Sequence, residues 1–177
     1  MELVNRNTQI VSKQLGRKIK NRFWVVKYCR YNYPMVIKTD PIGPDGPFPT
    51  LFWLTCPFLK KEIGKLESLG YIKKYQELLN MNPELRTNYL LAHRKTRELR
   101  LNLVKELHPE ADLSKPFFSS LFNGIGGMLN LESIKCLHLQ VANYLGGVEN
   151  PIGKAVLEEL KEIHCNNRFC ARYDFEE

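Results

Sequence analysis

The apolar positions change rhythm once along the chain. Up to about residue 56 they fall in short dense runs, and beyond it they recur every three or four residues. The runs "RFWVVKYC" (22–29) and "PMVIKTD" (34–40) are rich in β-branched and aromatic residues. The link "RYNY" between them predicts an antiparallel hairpin. "DPIGPDGPFP" (40–49) holds four prolines and two glycines and predicts a loop. "TLFWLTC" (50–56) is a continuous apolar run of strand length, which predicts a buried third strand. A short helix over 7–15 precedes the hairpin, with Ile10, Val11 and Leu15 on one side and Gly16 as its stop.

The helical spacing begins at Pro57, a residue suited to a first helical position. It predicts helices over 57–69 and 71–80, and a long one that starts at an Asn82 cap with Pro83 and ends before Pro109. In the longest of these Leu85, Tyr89, Ala92, Thr96, Leu99 and Leu103 form the inner stripe, and Arg94, Lys95, Arg97 and Arg100 fall to a solvated face. A loop containing Pro116 and "GIGG" (124–127) leads to "SIKCLHLQVANYL" (133–145), whose Ile134, Leu137, Val141 and Leu145 predict a core helix. A last helix is expected from Asn150–Pro151 to about residue 163, followed by an irregular tail over 164–177. The fold class is α+β in a single domain, 1–177. A small three-stranded antiparallel sheet with its short helix (7–56) packs with a helical majority (57–163).

With 177 residues the chain is long enough for one domain with a real core. No apolar run approaches the roughly 20 residues of a membrane span, and the polar N-terminus lacks a signal-peptide core, so a cytoplasmic protein is expected. The net charge of +7 is mild and compatible with a phosphate-bearing partner or nucleic acid.

Five cysteines (29, 56, 136, 165 and 170) change the picture. A reducing cytoplasm disfavours a disulfide framework, and an odd count leaves one thiol over. A third strand antiparallel to the second would end at the hairpin-turn end of the sheet. Cys29 and Cys56 would then share one edge, with Cys56 at a helix start that favours a thiolate. Cys136 opens a helix that must pack on this sheet. Cys29, Cys56, Cys136 and Cys170 are therefore expected to converge, with Cys165, His138 or an external group as alternatives for the fourth position. The chain has no C-x-x-C pair of the kind structural zinc uses. Thiols scattered singly suit an iron–sulfur cluster, which takes one from each of several elements. "KCLH" keeps a Cys/His zinc site open as the alternative. The opposing reading is that free cysteines serve as small buried hydrophobes and His138 as a hydrogen-bonded core histidine.

The segments "DGPFPTLFWLTCP" (45–57), "GIGG", "KCLH" and "NPIG" (150–153) together resemble the bacterial family known as domain of unknown function 501, over about residues 8–160. The resemblance implies a bacterial cytoplasmic protein and brings no reaction or cofactor with it.

Two functional readings follow. In the first, the chain is metal-centred, its enzymatic status open. Lys135, His138 and Arg30 orient a small anionic or heterocyclic substrate, and Gly124, Gly126 and Gly127 cradle an anion before a helix. In the second, it is an RNA-binding accessory module. There Lys13, Arg17, Lys18, Lys20, Arg22, Lys27 and Arg30 interleave with Phe23, Trp24, Tyr28, Tyr31 and Tyr33.

Overall fold

The structure, a computed structural model, describes residues 2–174. Helix α1 (Glu2–Leu15) leads into strands β1 (Phe23–Tyr28) and β2 (Pro34–Thr39), which pair antiparallel from Phe23↔Thr39 to Tyr28↔Pro34. The hairpin turn needs a left-handed residue, and Asn32 supplies it at φ 62°. The proline-rich loop folds on itself through the two-residue strands β3 (Ile42–Gly43) and β4 (Gly46–Pro47). Asp40 anchors the start of this loop. Its buried carboxylate accepts from the Ile42 N–H at 3.0 Å, from Arg22 at 3.0 Å, and lies 2.7 Å from His108 Nε2. Strand β5 (Phe52–Leu54) then pairs antiparallel with β2, giving the order β1-β2-β5. The fold is α+β, as expected, with a three-stranded antiparallel sheet whose third strand ends at the hairpin-turn end.

Six α-helices are found among the described residues. Beyond α1 these are α2 (Pro57–Ser68), α3 (Tyr71–Met81), α4 (Pro83–Leu107), α5 (Leu137–Leu145) and α6 (Pro151–Glu159). Their starts follow local chemistry. Asn82 accepts from the Leu85 N–H before Pro83, and Asn150 accepts from the Ile152 and Gly153 N–H groups before Pro151. The last helix stops earlier than expected, at Glu159, and the tail contains one 3₁₀ turn, Phe169–Tyr173.

The core sits between the sheet and the helices. Val36, Phe52 and Leu54 of the sheet meet Leu59 and Ile63 of α2, Leu137 and Val141 of α5, and Ile152 and Val156 of α6. Helix α5 packs on β5, α6 and α2. Its contact with α6 is close: a Cβ at Gly153 would lie 2.2 Å from the Gln140 carbonyl oxygen. A buried polar chain ties this layer together. Asn150 donates to Gln140 and Asn143, Asn143 donates to Thr96, and Gln140 donates to the Tyr89 hydroxyl.

The face of α4 differs from expectation at one residue. Arg100 is fully buried, at 0 % exposure. Its guanidinium donates to the carbonyls of Leu121 (2.7 Å), Asn123 (2.8 Å) and Gly124 (2.9 Å). It lies four residues after Thr96 on the same buried stripe, and the carbonyls of the following loop supply the acceptors its charge requires.

Candidate metal site and pocket

Cys136 is not inside a helix. Its backbone is extended (φ −158°, ψ 154°), and α5 begins at the next residue. The preceding segment is pinned from two helices. Gln76 of α3 accepts from the Ile134 N–H at 2.9 Å and donates to the Glu132 carbonyl at 2.9 Å, and the Tyr89 hydroxyl of α4 donates to the Ser133 carbonyl at 3.0 Å. These bonds fix where Cys136 and the first turn of α5 meet α2.

Glu67, near the end of α2, receives that turn. Its Oε1 accepts from the Leu137 N–H at 2.7 Å and lies 3.1 Å from His138 Nδ1. A carboxylate there complements the free N–H groups and positive potential of a helix start. His138 Nε2 lies 3.0 Å from the Lys60 carbonyl. Both ring nitrogens thus face acceptors. A neutral imidazole has one N–H, so without a metal only the protonated ring satisfies both. The pKa agrees: it is pushed up to about 9, first by the Cys136 side chain and then by the Lys60 carbonyl and Glu67, against the opposing effect of burial.

Among the described residues, Glu67, Cys136 and His138 bring a carboxylate oxygen, a thiol sulfur and a ring nitrogen within 4.8 Å of one another. Cys136 and His138 also line an open pocket of about 450 Å³. Its wall carries three cations, Arg17, Lys60 and Lys135, and an apolar side of Phe52, Trp53, Leu54 and Leu139. The Arg17 guanidinium stacks 4.8 Å from the Trp53 ring.

The sequence-derived residues therefore divide between two places. Lys135, His138 and Cys136 share this pocket. Cys29, Cys56 and Cys170 share another cavity with Cys165, at the hairpin-turn end of the sheet. The expected convergence of Cys136 with them is not what the structure shows. Cys56 precedes the first residue of α2 and Glu67 lies eleven residues on, a rise of about 16 Å. Burial pushes the Cys56 thiol up to about 11, outweighing the N–H groups of Leu59 and Phe58 that favour a thiolate. Arg30 lies away from the pocket and donates to the Cys165 carbonyl at 2.8 Å and to Asn166 at 2.6 Å.

The glycine loop is held from inside. The Gly124 N–H donates to Met128, the Gly127 N–H to Gly124, and the Ile125 N–H to His93 Nδ1 at 3.0 Å. Burial, and then the Arg100 charge, lowers the His93 pKa to about 4, so the ring is neutral and accepts. Of the three glycines, Gly126, left-handed at φ 61°, lines the pocket. In the basic–aromatic segment Arg22 pairs with Asp40, Lys20 with Asp45, and Arg17 lies on Trp53. Trp24 is exposed, with the Lys38 ammonium 5.6 Å from its ring.

Glu67 was missed by sequence reasoning. It lies about seventy residues before Cys136, and only the packing of α2 against α5 joins them.

Among the described residues no helix is long and apolar enough to cross a membrane. No curated protein and no solved structure matches the chain. The family described as Protein of unknown function (DUF501) matches residues 25–158, a stretch that runs from within β1 to within α6 and contains all three members of the Glu67–Cys136–His138 group, and the chain belongs to that family.

Proposed function

We propose that the chain is a metal-centred enzyme, with one zinc ion on Glu67, Cys136 and His138 and a small anionic substrate in the adjoining pocket. The observation that carries this reading is the triad itself, with its three ligating atoms within 4.8 Å of one another beside an open pocket. A thiolate, an imidazole and a carboxylate are a zinc donor set. His138 has the arrangement of a metal-ligating histidine. One ring nitrogen sits with the other ligands, and the opposite one faces the Lys60 carbonyl at 3.0 Å, which would fix the tautomer and the ring plane.

Three protein ligands leave a fourth position for water, the pattern of catalytic rather than structural zinc. Zinc lowers the pKa of such a water to about 7, which makes a nucleophile available at neutral pH. Arg17, Lys60 and Lys135 supply positive potential for an anion, and Phe52 and Trp53 supply a flat apolar wall for its body. A volume near 450 Å³ suits a small molecule.

Cobalt substitution tests this reading. Cobalt(II) bound by a thiolate gives a sulfur-to-metal absorption band, and Cys136→Ala should remove the component contributed by this site. Cobalt spectra that are identical in the wild-type and Cys136→Ala chains contradict it.

A further inference from the structure

We propose a second metal centre, independent of the first: an iron–sulfur cluster held by Cys29, Cys56, Cys165 and Cys170, which fastens the C-terminal tail to the end of the sheet. All four cysteines are free thiols and line one small cavity. They come from separate places in the fold. Cys29 follows β1, Cys56 caps α2, and the other two belong to the tail, Cys170 within its 3₁₀ turn. Cys29 and Cys56 lie inside the stretch that the family match covers, and Cys165 and Cys170 lie beyond it.

Spacing favours a cluster over a single ion. Four sulfurs bound to one tetrahedral zinc at about 2.3 Å stand about 3.8 Å apart and enclose no space. No three of these four gather within 4.8 Å, whereas Glu67, Cys136 and His138 do. A cluster places several irons and sulfides between the thiolates; the cavity as it stands measures about 10 Å³, so the tail thiols would have to move outward to admit one. Each thiol would give up its proton and form one bond to iron.

The surroundings suit such a group. Tyr31, Tyr33, Pro34, Pro57, Phe58 and Phe169 wall the cavity and limit water. Gln14 donates a hydrogen bond to the Cys170 sulfur at 3.3 Å, the kind of contact that tunes cluster thiolates. Arg168 lines the cavity and offsets the negative charge of four thiolates. His164 also lines it, and its Nδ1 is buried with no hydrogen-bond partner among the described residues. The tail is already seated here. Arg30 holds Cys165 and Asn166, the Tyr31 hydroxyl donates to the Asn166 carbonyl, and Asp174 accepts from Arg6 and Tyr33.

The experiment uses the full chain, purified under nitrogen and reconstituted with ferrous and ferric iron, sulfide and a thiol reductant. The proposal expects a brown protein absorbing near 400 nm, with iron and acid-labile sulfide in equal amounts. Cys29→Ser, Cys165→Ser and Cys170→Ser should each lose most of that iron, and Cys136→Ser should keep it. In the reconstituted wild type, mass spectrometry after alkylation should find these four thiols protected and Cys136 modified. That measurement needs no variant to fold. A colourless chain without iron or sulfide overturns the proposal, as do full iron retention in Cys165→Ser and Cys170→Ser, alkylation of all five thiols, or binding of zinc alone by the four.

Discussion

The carboxylate of Glu67, at the end of one helix, lies 3.1 Å from Nδ1 of His138 in the first turn of another. The same oxygen holds the Leu137 N–H at 2.7 Å. One side chain thus closes a helix start and positions a histidine beside a cysteine. Its removal should be felt both in stability and in metal affinity.

Glu67→Gln keeps a carbonyl oxygen to accept from Leu137 but loses the charge. The metal-free protein should lose about 0.5–1 kcal/mol, the scale of a carboxylate at a helix N-terminus. Glu67→Ala removes the acceptor as well and should cost about 1–2 kcal/mol. Urea unfolding of the chelator-treated chains checks both values. Equal stability of all three would mean that Glu67 does not support α5.

Two histidines set a pH optimum for the metal-free fold. The folded pKa of His138 is raised to about 9 from an ordinary 6.5, so its contribution is complete below about pH 6.5 and is lost as pH rises toward 9. That of His93 is lowered to about 4, so its contribution is complete above about pH 6.5 and is lost as pH falls toward 4. Stability should therefore peak near neutrality. His138→Gln should flatten the alkaline limb alone and His93→Gln the acid limb alone. Thermal melting across pH 4–9 distinguishes these outcomes.

Arg100→Met removes the guanidinium bonds to three carbonyls, of which that of Gly124 keeps the Gly127 N–H, and should destabilise the chain by about 3–5 kcal/mol. Arg100→Lys should recover only part of this, because an ammonium cannot reproduce the planar fork. Equilibrium unfolding supplies the numbers. A loss below about 1 kcal/mol for Met would show that the loop carbonyls find other donors.

Asn150→Ala removes the cap of α6 and leaves Gln140 and Asn143 short of a partner in the interior. The cost should be about 2–4 kcal/mol, a cap plus part of a buried network. Asn150→Asp should keep the cap and still destabilise, since a carboxylate cannot donate to Gln140. Comparing the two in denaturant separates capping from the network.

Local signals made most of the fold legible. The hairpin residues, the proline loop and the Asn–Pro helix starts each act within a few residues of where they are written. The same locality explains the misses. Cys136 shares apolar spacing with α5, yet it lies before the helix because Glu67 caps the following residue from a distant element. Arg100 looks like one cation among several on α4 until the carbonyls of 121–124 arrive beside it. For the thiols, antiparallel pairing placed Cys29 and Cys56 at one edge. The tail reads as irregular, and its sequence offers Cys170, with Cys165 as an alternative, as one ligand rather than both as a C-x4-C pair within the range of metal-ligand spacings.

The most direct test of the metal-centred reading is zinc binding in a chain with Cys165 and Cys170 replaced by serine, which weakens the other thiol cluster and isolates the Glu67–Cys136–His138 group. Equilibrium dialysis against zinc should show one tightly bound ion per chain. Binding should weaken as pH falls below about 9, where protons begin to compete for His138. Adding Glu67→Gln, Cys136→Ala or His138→Gln should each lower affinity by at least about tenfold, and combining them should add little once the site is lost. Unchanged zinc stoichiometry and affinity in all three would contradict the account and leave Cys136 and His138 as packing residues.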